Sequence, residues 1–176
     1  MSRLWKWMWI AFALAIIVFV VTAVGKQGTP KVSTAPYPGY RVPEVTLQTV
    51  TPGQQIKISN FSGKPLFINF WASWCPPCQA ETPDLVKAYQ QYGSEVQFLG
   101  INATAQDTSG NAQAFIKRYG ISYPVGFDTS NQAASQFNVN GFPTSIFVNA
   151  SGVVVARVDG AITPEVLRAD LQKSMH

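Results

Sequence analysis

The chain has two cysteines, and both fall within Trp74-Cys75-Pro76-Pro77-Cys78. Cysteines three residues apart can exchange with another disulfide, hold a soft metal ion, or staple a short loop. Their surroundings narrow the choice. Leu66-Phe67-Ile68-Asn69-Phe70-Trp71 is an uninterrupted apolar run of strand length, and Leu85, Val86, Tyr89 and Tyr92 recur at helical spacing beyond the pair. The cysteines therefore sit where a buried strand turns into a helix, and the i, i+3 spacing in a first helical turn brings both sulfurs to one face. Unpaired N–H groups and the positive end of the helix dipole favour thiolate at Cys75, which makes Cys75 the attacking sulfur and Cys78 its partner. Pro76 and Pro77 suit this position because their missing N–H groups would lack helical partners there anyway. Pro83 removes a hydrogen bond to the carbonyl of Gln79, so a bend is expected just past the pair.

Other uses of the two sulfurs are weighed on the same residues. Structural zinc needs two further ligands, and beyond the cysteines there is only His176, at the chain end. A purely structural disulfide closing so short a loop would remove little unfolded-state entropy. A copper(I) site made by two soft thiolates, as in a copper-delivery protein, stays open on composition alone. Peroxide reduction is disfavoured because no separate peroxidatic cysteine exists.

The elements that must position the pair follow from the rest of the pattern. Val45 to Val50 and Gln55 to Ile58 read as a hairpin ahead of the apolar strand, with 60–65 as a turn. Val96 to Ile101 is a second core strand, Ala112, Phe115, Ile116 and Tyr119 mark a helix stopped by Gly120, and Pro124 to Phe127 is a short strand. A short helix over Asn131 to Phe137 follows. Thr144–Val148 and Val153–Val158 form a closing hairpin, and Thr163 and Pro164 open a last helix with Val166, Leu167 and Leu171 as its buried stripe. The class is α/β: a mixed central sheet flanked by helices, with an N-terminal hairpin extension.

Residues 1–24 have a different character. Trp7 to Val24 is a run of 18 residues without a charge, about 27 Å as a helix and so about the thickness of a bilayer core. Arg3 and Lys6 precede it, and Trp5, Trp7 and Trp9 stand at its start like an interfacial belt. The run exceeds an ordinary signal-peptide core, which favours a retained anchor over cleavage after Val21-Thr22-Ala23. No cysteine follows that could carry a lipid. The leading positive charges predict a single-pass protein with its C-terminal domain outside the cytoplasm. Residues 25–43, rich in Pro and Gly, read as a linker, and 44–176 as the domain. The net charge of +4 does not point to nucleic acid. Four of the 13 basic residues lie at positions 3, 6, 26 and 31, and the remaining nine match the nine acidic ones.

Trp71-Ala72-Ser73-Trp74-Cys75-Pro76-Pro77-Cys78, followed by Pro83, resembles the active-site segment of the thioredoxin superfamily. Gly141-Phe142-Pro143-Thr144 is similar to its cis-proline loop, and Gly160 falls where that family carries a glycine after its last strand. The likeness spans about 44–173. Together with Glu81, the anchor and the linker resemble the membrane-tethered branch typified by ResA, TlpA and CcmG. The resemblance implies a thioredoxin fold with a cis peptide bond before Pro143, beside a redox-active Cys75–Cys78 disulfide that needs no other cofactor. Phe142 would pair with an extended substrate segment, and Trp74, Pro76 and Pro77 would contribute to the docking surface. Glu81, three residues after Cys78 and on the same helical face, would take or return that sulfur's proton. Cytoplasmic thioredoxins carry a buried aspartate where this chain has Asn69, which does not titrate, so the resemblance makes Glu81 the candidate if any carboxylate assists.

The function this resemblance implies is a thiol–disulfide oxidoreductase acting on exported proteins, for example apocytochrome c during cytochrome c maturation. A membrane electron donor of the CcdA or DsbD type would recharge it. Thiol oxidation of exported proteins is the alternative within the class, and copper(I) delivery the alternative outside it.

Overall fold

The computed structural model describes residues 5, 7–9, 12–16 and 33–176. Among the described residues no helix is long and apolar enough to cross a membrane. Of the expected span, 7–9 and 12–16 are helical and exposed. Its other residues, and 25–32 of the expected linker, lie outside the described residues.

From Ser33 onward the chain forms one compact unit. Its seven strands are β1 (Thr46–Gln48), β2 (Gln55–Lys57), β3 (Leu66–Trp71), β4 (Gln97–Asn102), β5 (Val125–Phe127), β6 (Thr144–Val148) and β7 (Val154–Asp159). Its helices are α1 (Pro76–Tyr92), α2 (Ser109–Tyr119), α3 (Gln132–Gln136) and α4 (Pro164–Ser174), with a 3-10 turn at Ile58–Phe61 where an irregular turn was expected from residue 60. The strands form a single sheet in the order β2-β1-β5-β4-β3-β6-β7. The central pairs β3/β4 and β4/β5 are parallel, and β3/β6 and β6/β7 are antiparallel. This is the mixed sheet that the pattern predicts.

β3 is buried along its whole length, which accounts for its continuous apolar run. Alternation still divides its side chains between the two faces. Phe67 and Trp71 join the core beneath α1, α2 and α4, with Leu85, Phe115 and Leu171. Leu66, Ile68 and Phe70 join the opposite core, with Leu47, Ile58, Ala133 and Phe137. Asn69 shares the face of Phe67 and Trp71, so its polar side chain points toward α1.

The helix ends follow their capping residues. The Thr108 and Thr163 side chains accept from the N–H groups of Asn111 and Val166, and Gly120 stops α2 at φ 65°, where a Cβ would be strained. The buried stripe of α4 is Leu167, Leu171 and Ser174, whereas Val166 is 42% exposed. Val166 lies about 100° around the helix from Leu167, too far to share its face.

Residues 33–43, expected as linker, are folded against the domain. Ala35 N–H donates to Arg41 C=O, and Arg41 N–H to Ser33 C=O, both at 3.0 Å. Gly39 N–H donates to Val154 C=O and Val154 N–H to Tyr40 C=O, both at 2.9 Å. Pro36 and Pro43 are buried. Proline removes only its own donor, and the neighbouring groups pair either within the segment or, at Gly39, Tyr40 and Val42, with Val154 and Gly152 at the start of β7.

Candidate active site

Cys75 is the N-cap of α1, with extended backbone angles, and its Sγ accepts from Cys78 N–H at 3.2 Å. Pro76 follows at the first helical position, so the local sequence dictates where the helix begins. The two sulfurs form a disulfide with Cα atoms 5.3 Å apart. Cys75 is 3% exposed and Cys78 1%, while Pro76 and Pro77 are exposed beside them. The helix continues through Pro83 as one element to Tyr92. Thr82 Oγ1 donates to Cys78 C=O at 2.6 Å.

The turn ahead of Cys75 is held from both sides. Ser73 N–H and Ser73 Oγ donate to Asp107 at 2.7 and 2.8 Å, and Gln79 Nε2 donates to Ser73 C=O at 2.8 Å. Asn102 Nδ2 and Thr108 N–H also donate to Asp107, at 2.9 and 2.8 Å. Burial alone would raise the Asp107 pKa, but the hydrogen bonds from Asn102, Ser73 and Thr108 outweigh it and hold this carboxyl below its ordinary 3.8. Asp107 therefore braces the turn as a carboxylate. Sequence reasoning missed it, because a polar residue ahead of Thr108 reads only as the approach to a helix.

Trp74 is 53% exposed, yet it is held in place. Its Nε1 donates to Gln106 C=O at 2.9 Å, and its ring meets Phe142 edge to face at 6.1 Å. Phe142 precedes Pro143 through a cis peptide bond, as the resemblance implies. Thr144 pairs with Phe70, so Pro143 lies at the end of β6 that meets the end of β3 leading into Cys75. Trp74, Gln106, Val139, Asn140, Gly141 and Phe142 line a cleft of about 230 Å³. Among the described residues, no hydrogen bond engages the N–H or C=O of Phe142.

Glu81 lies one turn beyond Cys78 and is only 4% exposed. Its Oε1 accepts from Asn69 Nδ2 at 3.0 Å, and its Oε2 from Ile162 N–H at 2.9 Å. Asn69 Nδ2 also donates to Ser145 Oγ at 3.1 Å. Burial raises the Glu81 pKa above its ordinary 4.5, opposed by the hydrogen bonds from Ile162 and Asn69. Asn69 is thus the amide that holds Glu81, a partnership its sequence position alone does not reveal. Tyr123 is pushed well up by burial and by the charge of Glu81.

Trp71 stacks on Phe115 at 4.5 Å, and among the described residues its buried Nε1 has no hydrogen-bond partner. A Cβ on Gly100 would lie 3.1 Å from that nitrogen, so glycine leaves room for the indole. Among the described residues no group of His, Cys, Asp and Glu could hold a metal ion. The expected site residues Trp74, Cys75, Pro76, Pro77, Cys78, Phe142 and Pro143 thus gather at one end of the sheet, with Glu81 buried one turn behind.

Residues 37–172 match the Redoxin family. The chain is 33% identical over 118 residues to the thiol-disulfide oxidoreductase ResA of Bacillus subtilis (strain 168), covering 66% of this chain and 65% of that protein. It is 30% identical over 140 residues to ResA of Geobacillus kaustophilus (strain HTA426), covering 79% of each. Among solved structures, a thiol:disulfide interchange protein of the thioredoxin family from Chlorobium tepidum TLS superposes with a TM-score of 0.69 at 26% identity, covering 84% of this chain and 99% of that one. On fold, active-site motif and sequence together, the chain belongs to the redoxin family, within the thioredoxin superfamily.

Proposed function

We propose that this chain is a thiol–disulfide oxidoreductase that reduces disulfides in exported proteins, held outside the cytoplasm by a membrane anchor over Trp7 to Val24. The observation that carries the reading is the Cys75–Cys78 bridge at the start of α1, beside the cis Phe142–Pro143 loop. The names of its ResA relatives, thiol-disulfide oxidoreductases, support the reaction class.

In the reduced enzyme the Cys75 thiolate attacks one sulfur of a substrate disulfide. The substrate S–S bond breaks, a mixed disulfide forms, and the departing substrate thiolate takes a proton. Glu81, ionised, accepts the proton of the Cys78 thiol, and the Cys78 thiolate attacks the Cys75 sulfur. The substrate's second sulfur leaves and is protonated. The substrate has then gained two electrons from the cysteine pair and two protons, one released from Cys78 by way of Glu81 and one taken from solvent. A thiol donor must restore the pair, and in this reading it is a membrane electron carrier of the CcdA or DsbD type.

Substrate lies along the cleft between Trp74 and Phe142, with Pro76 and Pro77 at its rim. An extended segment pairs with the free N–H and C=O of Phe142 as a short added strand. Apocytochrome c fits as a substrate, since its haem-binding cysteines must be reduced before haem attaches.

Incubating the reduced full chain with a synthetic peptide carrying one intramolecular disulfide tests the assignment. Cys75→Ser should abolish peptide reduction, and Cys78→Ala should accumulate the mixed disulfide, visible by mass spectrometry. Full activity in Cys75→Ser would overturn the reading, and a reduction potential in the range of strong oxidants would reverse the direction of electron flow.

A further inference from the structure

The residue that stands out beyond the redox pair is Arg157 on β7, whose side chain is only 6% exposed. Every N–H of its guanidinium has a partner. Nε and Nη2 bind the carboxylate of Asp159, the latter at 2.8 Å. Nη2 also donates to Asn138 C=O at 3.0 Å, and Nη1 to Phe137 C=O at 2.8 Å and to Pro36 C=O at 3.4 Å. The Tyr37 ring lies 5.2 Å from the guanidinium carbon, and the Tyr37 hydroxyl accepts from Asn138 Nδ2 at 3.3 Å. Three parts of the chain distant in sequence therefore meet at one cation: the folded segment Ser33–Arg41, the exit of α3, and β7.

The exit of α3 is also where the cis-proline loop begins. Asn138 adopts φ 48°, a left-handed conformation unusual for a residue with a Cβ, and Arg157 holds its carbonyl. The far end of the loop is held by the neighbours of Arg157. The Thr144 hydroxyl lies 2.9 Å from Gly141 C=O and 3.3 Å from Asp159 Oδ1, and Gly160 N–H donates to Pro143 C=O at 2.8 Å. The loop that presents Phe142 is thus gripped at both ends by a single cluster on β7.

We propose that Arg157 is a positioning residue for the Phe142–Pro143 loop, and that Ser33–Arg41 is a structural part of the substrate-receiving site through its contacts with Arg157. This inference rests on the reading that the loop receives substrate. A lysine has three donors on a point charge and cannot reproduce a fork that reaches three carbonyls and a carboxylate. Loosening the loop leaves both cysteines in place, so the loss falls on substrate binding and not on the exchange step.

The test reacts the reduced full chain with rising concentrations of the disulfide peptide and extracts a saturation constant and a limiting rate. Arg157→Lys is expected to raise the saturation constant about fivefold and Tyr37→Ala about twofold, with limiting rates changed by less than about twofold. A merely structural role would instead lower the limiting rate, through loss of folded protein, at an unchanged saturation constant. That pattern in these variants overturns the proposal, and should Arg157→Lys not fold, Tyr37→Ala decides alone. Pro143→Ala is measured alongside. If it raises the saturation constant while the Arg157 and Tyr37 variants do not, only this inference fails. If it too leaves the constant unchanged, the loop does not receive substrate, and both readings fail.

Discussion

Two carboxylates flank the cysteine turn, and the fold treats them in opposite ways. Asp107 stands ahead of Cys75 and accepts from four donors, two of them on Ser73. Glu81 stands behind Cys78 and accepts from two. Both lose hydration, but four hydrogen bonds outweigh that loss at Asp107 and lower its pKa, whereas deeper burial wins over two at Glu81 and raises its pKa. The first carboxylate is suited to hold the turn with a permanent charge. The second is suited to exchange a proton, because its two charge states are closer in free energy.

The sharpest way to break this contrast is Glu81→Gln. It should slow the resolving attack of Cys78 by about 10²-fold, the lower range for general acid–base assistance, and longer-lived mixed disulfide in a quenched time course measures it. Its effect on stability has a definite sign. A raised carboxyl pKa favours folding at low pH, and that contribution is lost as pH rises from 4.5 through the folded value. The stability of the parent relative to Glu81→Gln, followed by urea unfolding, should therefore fall as pH rises through this window. A difference independent of pH would show that Glu81 does not titrate as the contrast requires.

Asp107→Asn comes next in size. An amide cannot accept from all four donors, so about 2 kcal/mol of stability should be lost at neutral pH. Here the pH dependence runs the other way. The lowered pKa stabilises the fold above 3.8, and that contribution is lost as pH falls through the folded value. The gap between parent and variant should close in acid, and a gap that widens there would contradict a bracing carboxylate. The smallest effect is expected from Trp74→Phe, which keeps an aromatic edge for Phe142 but loses the bond to Gln106 C=O. About 0.5–1 kcal/mol is the expected cost for one partly solvated hydrogen bond, read from the shift in denaturation midpoint.

What the sequence made legible was local. The strand ahead of Cys75, the helix start at Pro76 and the cap at Thr163 each depend on a few neighbouring residues, and the structure has all three. Phe142–Pro143 could be recognised because its motif is contiguous. Asp107 and Arg157 could not, since their partners lie elsewhere in the chain: Ser73 is 34 residues from Asp107, and Pro36 is 121 from Arg157. The same limit explains the segment from 33 to 43. Its prolines and glycines are the composition of a linker, and its docking rests on Gly152 and Val154, more than 100 residues away, which pair with the backbone of Gly39, Tyr40 and Val42. Glu81 lay between these cases: helical spacing put it on the face of Cys78, while its burial depended on Asn69 and Ile162.

The pairing of Gly39 and Tyr40 with Val154 also bears on self-association. A sheet whose outermost strand shows a row of unpaired N–H and C=O groups invites other chains to add to it. At one side of this sheet the incoming segment already occupies Val154, and Pro36 and Pro38 within that segment offer no donors to a further strand. At the other side, β2 is only three residues long and ends in Lys57, a short, charged margin of the kind that discourages stacking. If Phe142 receives substrate as proposed, its open backbone is then the place left for a foreign strand to attach. An arrangement that suppresses indiscriminate aggregation would then also direct extended chains toward the disulfide.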